Sequence, residues 1–209
     1  MIRVLLADDH AVVRTGFRLL LEANADIEVV GEADSGEIAY QRYLDLGPDV
    51  VVMDIAMPGM GGIEALRRIR SHHPRARVLA LSAHDDPVHA RRALREGAFG
   101  FLSKRSAPEA LLEAITSVAA GRRYIDPGVA QRLALTDVDA EALAERLSER
   151  EFEVFMRLAH GESVQRIAED LRLAASTVGT HLYNLKQKLA VTNQSELTLL
   201  AIRHGLIEP

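Results

Sequence analysis

Val50-Val51-Val52-Met53-Asp54 is an apolar, β-branched run that ends on a carboxylate, and three further runs finish in a matching way. Val4-Leu5-Leu6-Ala7 meets Asp8 and Asp9, Val78-Leu79-Ala80-Leu81 meets Ser82, and Phe99-Gly100-Phe101-Leu102-Ser103 meets Lys104. Short runs of this composition, separated by helical patterns, read as strands buried on both faces of a parallel sheet. In an open α/β sheet the ligand site lies outside the carboxyl ends of the strands. Four strand ends therefore gather three carboxylates, one hydroxyl and one ammonium at one place.

Outward from these runs the chain alternates strand and helix to about residue 122. Strands are predicted at 2–7, 27–31, 49–53, 77–82 and 99–103, with helices near 10–24, 35–46, 61–71, 86–96 and 108–120. Gly47-Pro48, Pro58-Gly59, Pro74, Gly97 and Gly121 supply turns where the scheme needs them, and Pro108 suits the first turn of a helix. Five βα units make a five-stranded, parallel, doubly wound α/β sheet over residues 1–122, joined by right-handed crossovers. Glu28, Glu32 and Asp34 mark the second strand as an edge.

Residues 123–147 lack strong periodicity and read as a linker with some helix. From 148 to 209 the pattern is helical throughout. Ser148-Glu149-Arg150-Glu151 has capping-box spacing, followed by an apolar face of Phe152, Phe155, Met156 and Ala159 closed by Gly161. A short helix near 163–171, a turn, a helix near 175–189 carrying Val178, Leu182, Leu185 and Leu189, and a fourth near 193–204 complete a small all-α domain.

With 209 residues, 48% of them hydrophobic, the chain can bury a real core, and the absence of cysteine excludes disulfides, thiolate zinc sites and thiol nucleophiles. The first apolar run meets an acidic pair by position 8, too short a stretch for a signal peptide or a membrane span, so a cytoplasmic protein with no membrane partner is expected. A net charge of −5 does not suggest nucleic acid, nor do the seven Lys/Arg against eight Asp/Glu of 148–209. The stretch 171–195 differs, with Arg172, Lys186 and Lys188 and no acidic residue.

Singly, the strand-end residues have plain structural readings: Asp9 as a helix cap, Ser82 as a strand end, Lys104 as a solvated lysine. Together they suit phosphoryl chemistry. Three carboxylates in one pocket raise one another's pKa unless a cation neutralises them, and an all-oxygen donor set fits Mg²⁺. One carboxylate can then act as a nucleophile and form an acyl phosphate, with Lys104 as a second positive point for phosphoryl oxygens.

These residues resemble the receiver domain of two-component response regulators. Asp8-Asp9, Asp54, Ser82 and Lys104 match its acidic pair, phosphoacceptor, switch hydroxyl and lysine, and Met57-Pro58-Gly59-Met60 resembles the loop after the phosphoacceptor. The resemblance implies Mg²⁺ ligation by Asp9, Asp54 and the backbone carbonyl of Ala56, with Asp8 acting through water. It also implies transfer of phosphate to Asp54 from a phosphohistidine on a partner histidine kinase. Ser82 would then swing to the phosphoryl oxygens and Phe101 turn inward. The chain departs from the pattern at Ala56, where relatives often have a polar residue, and at Gly61, where Asp is common. Ala56 offers nothing to hold an attacking water, which predicts a long-lived acyl phosphate; His84 opposes this if it orders a water.

Helix 163–171, a three-residue turn and helix 175–189 outline a helix-turn-helix, although the periodicity serves a generic helical bundle equally well. The face opposite the core offers Ser176, Thr177, Gly179, Thr180, Tyr183, Asn184 and Gln187, with Lys186 and Lys188 near its end. Small hydroxyls and an aromatic suit base edges of double-stranded DNA, and cations suit phosphates. Residues 147–206 resemble the LuxR-type helix-turn-helix of NarL/FixJ-type regulators: Leu147-Ser148-Glu149-Arg150-Glu151 its opening, Gln165-Arg166-Ile167-Ala168 its scaffold helix, Thr177-Val178 with His181 its recognition helix, and Lys188-Leu189 that helix's end. That likeness implies a fourth helix used for dimerisation, and hence a homodimer when phosphorylated or DNA-bound. Gly179 and Tyr183 stand where relatives carry basic or other contact-making residues, so base readout is expected to shift to Thr180 and Tyr183. The expected function is a phosphorylation-switched, DNA-binding transcriptional regulator and not an enzyme. Two alternatives stay open: a regulator independent of phosphorylation, and a Mg²⁺-dependent phosphatase with an aspartyl nucleophile, for which the usual second acid two residues on is absent at Ala56.

Overall fold

A computed structural model describes residues 1–83, 87–135, 143, 146–171 and 173–207. The apolar runs form parallel strands β1 (Ile2–Ala7), β2 (Ile27–Ala33), β3 (Val50–Asp54), β4 (Val78–Ser82) and β5 (Gly100–Ser103). Helices α1 (Ala11–Glu22), α2 (Gly36–Leu46), α3 (Gly62–His72), α4 (Pro87–Arg95) and α5 (Pro108–Ala119) connect or follow them. Alternate side chains of each strand enter opposite layers. Leu5, Val51, Met53, Ala80 and Phe101 pack with Ala39 of α2, Leu66 and Ile69 of α3 and Ala90 of α4. Val4, Leu6, Val52, Leu79 and Leu102 pack with Leu21 of α1 and Leu111, Ile115 and Val118 of α5. Burial on both faces is why these strands are continuously apolar.

Among the described residues the sheet has the five expected strands and a short sixth, in the order β2-β1-β3-β4-β5-β6. β2 lies at one edge, as its acidic residues suggest. The other edge is capped by β6 (Tyr124–Ile125), parallel to β5, in the segment that the sequence assigned to a linker. Two residues are too few to show strand periodicity. Gly100 makes the pairing possible, because a Cβ there would lie 2.7 Å from the Tyr124 carbonyl oxygen. Helix α6 (Pro127–Leu135) follows, and its Val129 is fully buried in the same layer as Phe101. The remainder of the 123–147 linker reading falls largely on 136–142 and 144–145, outside the described residues.

The chain divides into two compact units, Met1–Ala134 and Leu135–Pro209. In the second, α7 (Glu149–Ala159), α8 (Val164–Asp170), α9 (Ala175–Leu189) and α10 (Gln194–Arg203) enclose Phe152, Phe155, Leu158, Ile167, Val178, Leu185, Leu197 and Ala201. The capping box forms: the Ser148 hydroxyl accepts from the Glu151 amide at 3.3 Å, and Glu151 Oε2 accepts from the Ser148 amide at 2.8 Å. Leu182, assigned to the core by its spacing, is only half-buried. Among the described residues no helix is long and apolar enough to cross a membrane.

Candidate phosphoryl site and nucleic-acid face

Strand order turns back between β1 and β3, and this is where an α/β sheet opens a crevice at its carboxyl edge. The register Ala7↔Met53 sets Asp8 beside Asp54, and Ser82↔Ser103 sets Lys104 one step beyond Ser82. All three carboxylates are buried, with Asp54 only 1% exposed. Lys104 reaches across them: its Nζ lies 2.6 Å from Asp8 Oδ2 and 2.7 Å from Asp54 Oδ2. The Lys104 amide also donates to the Ser82 carbonyl at 2.7 Å, which fixes the lysine's origin relative to β4.

Burial pushes the Asp54 carboxyl up, an effect that Lys104 opposes and Asp8 reinforces. Burial disfavours the charged form of Lys104, but Asp54 and Asp8 outweigh it and raise the ammonium's pKa. The one ammonium pairs with two of the three buried carboxylates, Asp8 and Asp54. Donor atoms of Asp8, Asp9, His10 and Asp54 lie within 4.8 Å of one another, and the carboxylate oxygens are the donors a hard divalent cation takes. The residues present fit a metal ion.

The loop after Asp54 is positioned by features the sequence does not announce. The Ala56 amide donates to Asp54 Oδ1 at 3.0 Å, and the Met60 amide donates to Glu37 Oε1 at 2.9 Å. Gly62 passes so close to β3 that a Cβ would fall 2.0 Å from the Asp54 carbonyl oxygen. Arg14 clamps the end of β1 from outside, donating to the Asp8 carbonyl at 2.6 Å and to Glu32 at 2.8 Å. His10 joins the cluster unannounced; its place directly after Asp9 is the one sign of it in the sequence.

Ser82 is buried at the end of β4. Phe101 is 0% exposed and already inward, beneath the edge where Ile125 of β6 pairs with it and Val129 of α6 packs. The outward starting point of the turn implied by the resemblance is therefore absent from this structure. His84 lies outside the described residues.

In the second unit α8, a turn and α9 form the helix pair. Ser176, Thr177, Thr180 and Tyr183 are exposed on α9, Tyr183 at 64%, while Lys186 is half-buried. Thr180 donates its hydroxyl hydrogen to the Ser176 carbonyl at 3.0 Å, leaving the oxygen's lone pairs facing out. Two expected DNA contacts have other engagements. Lys188 Nζ holds Glu151 Oε2 of α7 at 2.6 Å, a side chain only 6% exposed, so this ammonium ties α9 to α7. His181 is half-buried, and burial together with nearby Arg150 lowers its pKa against the opposing effect of Glu151. The spacing that places both residues on α9 does not reveal which side chain α7 engages. Arg172 lies outside the described residues.

Comparison with known proteins agrees with this geometry. Residues 4–116 match the response regulator receiver domain, and residues 145–201 match the bacterial regulatory proteins of the luxR family. The chain is 40% identical to the response regulator GacA of Pseudomonas viridiflava, across 100% of this chain and 99% of the relative. It is 41% identical to the response regulator UvrY of Escherichia coli strain K12, across 99% of this chain and 96% of that protein. Among solved structures, a LuxR-family two-component response regulator from Aurantimonas sp. SI85-9A1 aligns with a TM-score of 0.63 at 42% identity, covering 64% of this chain and 96% of that one. The response regulator RcsB of Salmonella typhimurium aligns with a TM-score of 0.61 at 28% identity, covering 95% of this chain and 97% of RcsB. With a receiver-type acidic crevice on the first unit and a helix-turn-helix on the second, this chain belongs to the two-component response regulators that carry a LuxR-type DNA-binding domain and regulate transcription.

Proposed function

We propose that Asp54 is the phosphoacceptor and that its occupancy controls DNA binding by the C-terminal helices. The observation that carries this reading is the convergence of Asp54, Asp8 and Lys104 at the carboxyl ends of β3, β1 and β5. An Asp54 carboxylate oxygen attacks the phosphorus of a phosphohistidine on a partner histidine kinase. The P–N bond breaks, the histidine leaves with the electron pair and is protonated, and an acyl phosphate forms on Asp54. Lys104 holds a phosphoryl oxygen in a buried setting where its charge is weakly screened. Asp9, Asp54 and the Ala56 carbonyl would hold Mg²⁺, with Asp8 assisting through water, and the ion when bound offsets phosphoryl charge in the acidic crevice. Ser82 meets the phosphoryl group from β4, while Phe101 serves as a fixed core contact beneath it.

One phosphate per chain is the expected stoichiometry, since Ala56 stands where an aspartyl phosphatase carries its second acid. Receiver function is assigned to the first unit, Met1–Ala134, and DNA binding to 148–209, in a cytoplasmic protein. Structures of RcsB dimers bound to DNA support a homodimer reading two half-sites about 34 Å apart on double-stranded DNA. Ser176, Thr177, Thr180 and Tyr183 would face the groove, with Lys186 toward phosphates.

The test is incubation of the full chain with a small phosphodonor and Mg²⁺, followed by intact mass, oligomeric state and DNA binding. Wild type should gain one phosphoryl group and bind DNA more tightly. Asp54→Ala should gain none; an undiminished mass gain in that variant would refute the assignment.

A further inference from the structure

We infer that His10 is a nitrogen donor to the ion held in this crevice, so that the site favours divalent ions that accept imidazole over Mg²⁺ by more than its oxygens alone would give. The inference rests on reading the crevice as the phosphoacceptor's ion site, and it adds a donor to that set.

The position of the ring is the first ground. His10 Nδ1 lies 3.0 Å from Asp9 Oδ1 and 3.4 Å from Asp8 Oδ1. Its donor atom also falls within the 4.8 Å that spans the Asp8, Asp9 and Asp54 oxygens. An imidazole that served one carboxylate as a simple ion pair would need only that carboxylate. This one converges with three. Two neighbouring donors of an octahedral ion with bonds near 2.1 Å stand about 3 Å apart, which is the spacing of His10 Nδ1 and the acidic pair.

The backbone is the second ground. His10 sits at the N-cap of α1, yet its side chain makes no capping hydrogen bond. Its amide donates to Asp8 Oδ1 at 2.8 Å and its carbonyl accepts from the Arg14 amide at 3.0 Å. The main chain is therefore fixed on both sides, while the ring is not used by the helix. The carboxylates are buried, whereas the His10 side chain is 57% exposed, which puts the ring at the mouth of the crevice. A ligand there can join an ion without distorting the strand ends.

Ligand chemistry supplies the consequence. An oxygen set suits Mg²⁺, which keeps its waters, while imidazole suits Mn²⁺, Co²⁺, Ni²⁺ and Zn²⁺. The affinity ratio between such ions and Mg²⁺ should therefore depend on His10, whereas Mg²⁺ binding itself should not.

The experiment titrates the full-length protein separately with Mg²⁺, Mn²⁺ and Ni²⁺ by calorimetry, for wild type, His10→Ala and His10→Asn. Pulsed electron paramagnetic resonance of the Mn²⁺ form then reads nitrogen coupling directly. Both substitutions should weaken Ni²⁺ and Mn²⁺ binding about tenfold or more, leave Mg²⁺ within about twofold, and abolish imidazole nitrogen coupling. Equal loss for all three ions, no loss for any, or coupling that survives in His10→Ala would overturn the inference. Phosphodonor labelling with Mg²⁺ keeps the two readings apart. If wild type labels and the metal ratio is unmoved, only the role of His10 fails; if wild type does not label, the phosphoacceptor reading fails.

Discussion

The Ser106 hydroxyl donates to Asp126 Oδ2 at 2.5 Å, joining the loop that follows Lys104 to the start of α6. Asp126 Oδ1 accepts from the Gly128 and Val129 amides, as a helix cap does, and the Asp126 amide donates to the Phe101 carbonyl at 2.9 Å. On the far side of the helix, Arg91 of α4 donates to the Leu133 carbonyl at 2.8 Å. The strand that bears Phe101 and the loop that follows Lys104 thus both bond to Asp126, the first at its amide and the second at its carboxylate. Asp126→Ala should cost about 1–2 kcal/mol locally, so amides of residues 124–130 should exchange roughly tenfold faster than in wild type. Exchange no faster than in wild type would mean that the Asp126 carboxylate does not hold β6 and α6 in place.

Glu151 gives the second unit part of its pH dependence. Burial would raise the Glu151 carboxyl, but its hydrogen bonds from Lys188 and from Ser148 prevail and hold it below the usual range. A depressed folded-state pKa gives stability that is present above the unfolded value and lost as pH falls through the folded one. Glu151→Gln should therefore destabilise this unit by about 1–2 kcal/mol at pH 7, with the partial exposure of Lys188 limiting the effect. Denaturant melts should show the difference narrowing below about pH 4. A difference independent of pH would assign the loss to packing instead.

If Asp54 is the phosphoacceptor as proposed, Ala56 sets the lifetime of its acyl phosphate. It is half-buried beside Asp54 and carries no polar side-chain atom, while its amide is taken up by Asp54 Oδ1 at 3.0 Å. Hydrolysis needs a water placed in line with the Asp54–phosphoryl bond, and an amide side chain at this position can hold one. Ala56→Asn should shorten the half-life about tenfold in a phosphate-release assay. An equal or longer half-life would show that water is ordered from elsewhere.

On α9, Tyr183 and Gly179 allow the proposed base readout and the stability of the helix to be tested separately. Tyr183→Ala should flatten sequence preference in a binding-site selection while leaving non-specific affinity within about threefold. Gly179 has open space where a Cβ would be, so Gly179→Ala should stabilise the unit by about 1 kcal/mol through helix propensity. A destabilised Ala variant would point to a backbone requirement that the helix does not display.

The strand ends were readable in the sequence because burial on both faces makes each strand an uninterrupted apolar run, and the polar residue that stops it is the one left at the sheet's edge. Asp8, Asp9, Asp54, Ser82 and Lys104 could be named on that basis alone. The same logic failed for Tyr124-Ile125, where two residues pair on an edge that only Gly100 leaves open. On α9 the spacing separated core from surface at Val178, Leu185 and Leu189. It could not show that Lys188 turns to Glu151 or that His181 is half-buried near Arg150.

What the sequence determined by itself was the kind of site: periodicity sets which elements form, and composition at their ends sets the available chemistry. What only the tertiary structure decided was which of those groups face one another. Lys104 meets Asp8 and Asp54 because β1, β3 and β5 converge around the switch in strand order. Phe101 is sealed inward because β6 and α6 close the sheet edge beside it, and His10 faces the acidic pair because α1 starts one residue after it. These are contacts between residues distant in the chain or between rotamers at fixed caps. Their energies depend on positions in space, which local sequence pattern does not encode.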